Sequence, residues 1–293
     1  MSQTADPIVF LNGEHLPLSQ AKISVLDRGF LFGDGVYEVI PVFAGHLFRP
    51  REHLQRLADS LTGIRIPNPY TIDQWQKQLA KLPLPNEPGD QVIYVHVSRG
   101  TSAIRSHTFA PDMAPTVFAM AQKVAPHAPN DATDGVSAIT RTDDRWLRCH
   151  LKTTTLLANA LFRQEAAEAG AVETILIRDD GQVTEGAATN VFIVEQGTIL
   201  TPPKSNLILP GITRDLVLEL AKTAGLPYAE RHFTEKQLRN ADEIWITGSL
   251  REIAPVTRLD GKTVGSGKPG PLWRRIDTDY HVLKDGIRAG RAE

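Results

Sequence analysis

The chain of 293 residues has a single cysteine, Cys149, so neither an intrachain disulfide nor an all-cysteine metal site can form. That scarcity suits a reducing compartment. Cys149 stands between Arg148 and His150, where a lone thiol reads as a small filler rather than a nucleophile. No apolar run approaches the ~20 residues that cross a bilayer. Residues 1–7 carry no basic stretch followed by an apolar one, so no secretion signal is expected and the chain reads as cytoplasmic. The formal net charge is -2 and there is no basic stripe, which removes the electrostatic footprint of a nucleic-acid binder. Nine histidines are scattered without metal-ligand spacing, so no metal is expected.

What is present has globular composition, with 41% hydrophobic and 23% charged residues. Chains of this length exceed the size at which one core tends to split, so two α/β domains are expected. Asn12-Gly13 and Ala44-Gly45 sit between short apolar runs and predict hairpins. Leu54, Leu57 and Leu61 fall on one helical face, and Thr71 or Asp73 can cap a second helix. Strands are predicted at 92–97 and 117–121. Two prolines and no apolar periodicity mark 125–134 as a linker. Residues 1–124 then form a small N-terminal domain and 135–293 a larger C-terminal one. In the second, strands are predicted at 136–141, 173–178, 190–194, 198–201, 243–247 and 253–258. Helices are predicted over about 154–169 and 214–224 and beyond Pro271.

Five segments can carry chemistry. Lys152 precedes the predicted helix from Thr153, and bulky neighbours there would desolvate its amine and favour Schiff-base chemistry. A surface lysine near a helix start fits the same residues. Glu185, among Thr184, Gly186, Ala187 and Ala188, leaves room for a flat ligand, and a pyridine-ring cofactor needs an anion at its ring nitrogen. A solvated turn carboxylate is the plain alternative. Gly211-Ile212-Thr213-Arg214-Asp215 opens a helix whose free N–H groups could bind a phosphate, or are simply a helix start. Asp27 to Val39 holds three glycines among aromatics and reads as a demanding loop entering a strand. Arg105 and His107, two apart on an extended stretch, would point to one side and could grip a carboxylate, or belong to an ordinary polar loop.

The order of these segments resembles the class IV aminotransferases. It runs through Asp27-Arg28-Gly29, Gly33-Asp34-Gly35-Val36-Tyr37-Glu38-Val39, His53-Leu54-Gln55-Arg56-Leu57 and Arg99-Gly100-Thr101. It continues with Trp146-Leu147-Arg148-Cys149 and Lys152, Val183-Thr184-Glu185-Gly186 with Asn190-Val191-Phe192, and Gly211-Ile212-Thr213-Arg214-Asp215. Within that family it is most similar to the bacterial branch acting on D-amino acids. The resemblance spans about 8–265. One stretch departs from the pattern: Ala103-Ile104 stands before Arg105 where the family has a single proline.

The resemblance implies an α/β fold of type IV, two domains with pyridoxal 5'-phosphate at their interface. Lys152 would carry the cofactor as a Schiff base and move the substrate proton. Glu185 would pair with the ring nitrogen, while Arg56, Ile212, Thr213 and Ser249 would hold the phosphate. Tyr37, Arg105 and His107 would bind the substrate α-carboxylate. In that family the arginine and histidine are lent by the partner of a homodimer. The expected activity moves an amino group between a D-amino acid and a 2-oxo acid. The alternatives on the same scaffold are a branched-chain L-amino-acid transaminase and a lyase resembling aminodeoxychorismate lyase.

Overall fold

Asn12 and Gly13 adopt φ of 50° and 98°, which lets two short strands turn back on each other, β1 (Ile8–Leu11) and β2 (Glu14–Pro17). The computed structural model describes residues 6–84, 89–125, 128 and 131–291. It separates into two compact units, one of Met1–Val124, Leu151–Thr155 and Gly286–Glu293, the other of Ala125–His150 and Leu156–Asp285. Within the 125–134 segment, Pro126, His127, Pro129 and Asn130 lie outside the described residues.

The first unit continues with α1 (Arg28–Phe32), β3 (Gly35–Phe43), β4 (His46–Leu47), α2 (Pro50–Gly63), α3 (Ile72–Leu79), β5 (Gln91–Ser98) and β6 (Thr116–Lys123). Its strands form one antiparallel sheet ordered β2-β1-β6-β5-β3-β4. Leu54, Leu57 and Leu61 of α2 are fully buried with Val36, Ile40 and Val42 of β3. Burying each leucine contributes about 1.5–3 kcal/mol. Thr71 caps α3 through a capping box with Gln74.

Part of the predicted glycine-rich loop is instead a short helix. Asp27 accepts the Gly29 N–H at its N-terminus, and Gly33 ends it at φ 64°. A second difference concerns Lys152. The helix predicted from about 154 begins at Leu157, because Leu151–Thr155 is taken up by β3. The Tyr37 N–H donates to the Lys152 carbonyl at 2.9 Å, and the Thr154 N–H donates to the Gly35 carbonyl at 3.0 Å. The β-branched run Thr153-Thr154-Thr155 suits that extended pairing better than a helix.

The second unit holds α4 (Asp131–Asp134), β7 (Val136–Thr142), α5 (Leu157–Glu168), β8 (Glu173–Ile177), β9 (Val183–Gly186), β10 (Asn190–Glu195), β11 (Thr198–Thr201), α6 (Ile212–Thr223), β12 (Tyr228–Glu230), α7 (Glu235–Arg239), β13 (Glu243–Gly248), β14 (Glu252–Leu259), β15 (Lys262–Thr263) and α8 (Pro271–Arg288). Its mixed nine-stranded sheet runs β12-β11-β10-β13-β14-β7-β8-β9, with β15 on β14. β8 and β10 are buried nearly throughout, with apolar stretches Ile175–Ile177 and Val191–Val194, so both faces of the sheet are covered there. Among the described residues no helix is long and apolar enough to cross a membrane. Nor, among them, does any group of three or more His, Cys, Asp or Glu residues stand ready for a metal ion.

Candidate active site

In the first unit, neighbouring residues of β3 serve opposite faces of the sheet. Tyr37 meets Lys152: the Lys152 amine donates to the Tyr37 hydroxyl at 3.3 Å and lies 4.3 Å from the ring centre. The Lys152 N–H donates to Ser60 Oγ at 3.1 Å, so both backbone groups of the lysine are fixed. Tyr94 stands beside Tyr37, and its hydroxyl is 3.0 Å from His96 Nδ1. Burial, then the neighbouring Tyr37, pushes the Tyr94 phenol up to about 12, so it stays protonated at neutral pH. Burial holds His96 below the usual histidine range.

Glu38 faces α2 and is fully buried. Arg56 donates to both of its oxygens through Nε at 2.7 Å and Nη2 at 2.9 Å, and His53 Nδ1 lies 2.9 Å away. Burial would raise the Glu38 carboxyl, but Arg56 and His53 hold it far below the usual carboxylate range. Burial lowers His53 against the opposing pull of Glu38. The guanidinium of Arg56, which carries five N–H donors, is therefore anchored rather than loose.

Arg105 and His107 lie on the exposed stretch between β5 and β6. The Arg105 guanidinium is 4.8 Å from the Phe32 ring centre, and the His107 ring is 5.4 Å from the same ring. Both side chains thus lie against the ring of Phe32. Among the described residues, neither hydrogen-bonds to Tyr37 within the chain.

In the second unit the chemistry gathers around Asn190. Glu185, on β9, is 4% exposed. Its Oε2 accepts the Leu209 N–H at 2.9 Å and Asn190 Nδ2 at 3.2 Å, and its Oε1 accepts Arg145 Nη1 at 2.9 Å. Burial drives the Glu185 carboxyl up to about 7, against the pull of Arg145 and the Leu209 N–H. Asn190 also donates to the Leu209 carbonyl at 2.9 Å. A Cβ on Gly211 would lie 1.9 Å from Asn190 Oδ1, so only glycine fits there. Gly211 is the N-cap of α6 and supplies no side-chain cap, and the N–H groups of such a first turn, here including Ile212 and Thr213, can meet an anion. Asn190 pairs with Thr247 across β10 and β13, and Thr247 Oγ1 is buried with no hydrogen-bond partner among the described residues. Half-buried Gly248 and Ser249 follow it. A carboxylate, an uncapped helix start and an orphaned hydroxyl joined through one asparagine suit a flat ring bearing a phosphate.

Arg145, Asn190 and Thr247 were not singled out as site residues by the sequence. Asn190 lies inside a quoted motif and Arg145 directly before one, but their partners become visible only in the fold. Cys149 is half-buried, and burial pushes its thiol up to about 11, which keeps it protonated and unreactive at neutral pH.

Residues 35–259 match the family model for amino-transferase class IV. The chain belongs to the class IV aminotransferases. It is 43% identical over 270 residues to the D-alanine aminotransferase of Bacillus licheniformis, covering 92% of this chain and 94% of that one. It is 37% identical over 275 residues to the D-alanine aminotransferase of Staphylococcus haemolyticus, covering 93% and 96%. Among solved structures, the branched-chain amino acid aminotransferase of Escherichia coli superposes with a TM-score of 0.86 at 29% identity, covering 98% of this chain and 96% of that one. A hypothetical aminotransferase from Mycobacterium tuberculosis in its PLP-bound form gives 0.81 at 26% identity, covering 92% and 98%. The fold of this class IV aminotransferase is thus shared with a relative named for branched-chain substrates, while its sequence lies nearer to relatives named for D-alanine.

Proposed function

We propose that this class IV aminotransferase is a D-amino-acid transaminase, which uses pyridoxal 5'-phosphate to move an amino group between a D-amino acid and a 2-oxo acid. The observation that carries the reading is the Asn190 junction, which ties the Glu185 carboxylate to the Gly211 helix start. It is supported by identities of 43% and 37% to D-alanine aminotransferases over nearly their whole length.

Glu185 would accept a hydrogen bond from the protonated ring nitrogen and keep it charged, and Ile212, Thr213 and Ser249, with Arg56, would hold the phosphate. When bound, the cofactor supplies an electron sink for the pair left on the substrate Cα. Lys152 would hold the cofactor through its amine, and that amine, when free, would take the Cα proton. The Tyr37 hydroxyl, 3.3 Å from Lys152 Nζ, keeps that amine oriented. Tyr37, Arg105 and His107 take the α-carboxylate, which decides the side from which Lys152 meets the Cα–H. Donor and acceptor use the same residues in turn, so kinetics are ping-pong.

The exposure of Phe30 on α1, 70%, and of Ile104 on the Arg105 loop, 71%, supports a homodimer in which Arg105 and His107 serve the partner's site. We place the enzyme in the cytoplasm, consistent with its single cysteine. The test is the visible absorption of the cofactor-loaded protein before and after D-alanine, with L-leucine in parallel. Bleaching by D-alanine alone is expected. Bleaching by L-leucine alone would move the protein to the branched-chain class, as the fold of the Escherichia coli relative allows.

A further inference from the structure

Residues 99–115 join β5 to β6 with no helix of their own, and a connection that long is either mobile or held for a purpose. Here it is held, and the holding residues are buried. Arg28, 4% exposed, donates from Nη1 to the Ser106 carbonyl at 2.5 Å and the Thr108 carbonyl at 3.4 Å, and from Nη2 to the His107 carbonyl at 3.1 Å. One guanidinium thus grips three successive carbonyls immediately after Arg105. Its Nε donates to Asp34 at 2.8 Å. Asp34 also receives Arg99 through Nε at 2.8 Å and Nη2 at 2.9 Å. Arg99 is tied to the end of α2 through the carbonyls of Ile64 and Arg65. The ring of Phe109 closes the loop over Arg99, its centre 3.6 Å from the guanidinium carbon. The helix that supplies Arg28 also supplies Phe32, against which Arg105 and His107 both lie.

Backbone and side chains of the loop are therefore referenced to the same short helix. We propose that Arg28 and Asp34 are positioning residues for substrate recognition, holding the 105–108 backbone so that Arg105 and His107 stand together as one carboxylate grip. The inference rests on the reading of Arg105 and His107 as carboxylate binders. An exposed arginine and histidine on a free loop would each have to be ordered by every incoming substrate. A loop fixed beforehand spares that ordering, and the benefit appears in binding rather than in the chemical step. Asp34 matters because one carboxylate between two buried guanidinium groups fixes their separation, and with it the distance from α2 to the loop.

The test uses the cofactor-loaded enzyme. Arg28→Lys keeps a positive charge but cannot fork to three carbonyls; Asp34→Asn keeps shape and removes the charge that joins the two arginines. In both, the KM for D-alanine and the inhibition constant of propionate, an unreactive carboxylate, should rise roughly ten- to a hundredfold, with kcat changed far less. Amide exchange over 103–109 should quicken, while cofactor affinity and the visible spectrum stay as in the parent. A purely structural role would lower the melting temperature and leave the propionate constant alone. Arg105→Ala is the control. If it weakens propionate and the Arg28 and Asp34 variants do not, the proposal is overturned while the grip stands. If Arg105→Ala changes nothing, the underlying reading fails and takes the proposal with it. If one positioning variant does not fold, the other decides.

Discussion

The Arg145 guanidinium stands 2.9 Å from one oxygen of Glu185 while it holds both oxygens of Asp143, at 2.9 and 3.0 Å. Asp143 is fixed in turn by the Thr184 hydroxyl at 2.7 Å. Burial opposes ionisation of Asp143, yet Arg145 keeps its carboxyl below the usual range. One buried cation thus serves two carboxylates, of which Glu185 faces the larger burial cost.

Replacing that cation should weaken cofactor binding. In Arg145→Gln the Glu185 carboxyl loses its main counter-charge, rises further, and is largely protonated at neutral pH. The change should also cost about 3–5 kcal/mol of stability, because two buried carboxylates are left without their partner. Titration of the cofactor-free protein with pyridoxal 5'-phosphate, followed by tryptophan fluorescence, measures the first effect. An affinity equal to that of the parent would refute it.

Glu185 should leave a mark on stability against pH. Its folded value, about 7, lies above the ordinary 4.5, so the folded protein binds more protons than the unfolded chain between those limits. The contribution is fully present below about 4.5 and is lost as pH rises toward 7, by roughly 3 kcal/mol at most. Cofactor-free protein should melt progressively lower from pH 5 to pH 7, and Glu185→Gln should lack that component. Asp34, Glu38 and Asp143 are shifted the other way, so their stabilising contributions are lost only in more acidic solution. Parallel curves for parent and variant would contradict the assignment.

Lys152→Ala should abolish the visible band of lysine-bound cofactor and lower turnover by roughly 10²–10⁴-fold or more. Its melting temperature without cofactor should move little, since the half-buried amine makes a single 3.3 Å bond to Tyr37. Undiminished turnover would remove the role given to this residue.

Gly211→Ala would drive a methyl group onto Oδ1 of Asn190, whose Nδ2 donates to the Leu209 carbonyl and to Glu185. The helix start or the asparagine must shift, at a cost of about 1–3 kcal/mol. Weaker inorganic phosphate binding alongside a lower melting temperature is the expected pair of results. A fall in stability with intact phosphate affinity would separate Gly211 from the anion site.

Glu38→Gln should strand Arg56 and His53 inside the first unit and cost about 3–5 kcal/mol, measured by urea unfolding. If Arg56 holds phosphate as proposed, cofactor affinity should fall as well, because Glu38 fixes the guanidinium. A variant as stable as the parent would show that water replaces the carboxylate.

Much of the scaffold was legible because its causes are local. Asn12-Gly13 turns wherever it stands between extended runs, and the period of Leu54, Leu57 and Leu61 defines a buried face without reference to what covers it. Arg105 and His107, two positions apart, both lie beside Phe32. The conformation of Lys152 was misread for the opposite reason. Its surroundings resemble a helix start, and only the backbone hydrogen bonds to β3, over a hundred positions earlier, make the segment extended.

The sequence by itself determined the family, the longer strands and helices in their order, and which residue types could hold a ring, a phosphate and a carboxylate. The tertiary structure decided which of those residues are tied to one another. Arg145 finds Glu185 across 40 positions, Arg28 finds the 106–108 carbonyls across 78 to 80, and Asn190 finds the Leu209 carbonyl across 19. No local rule encodes such pairings. They arise because buried polar groups must find partners, and the partner is whichever group the folded sheets bring within reach.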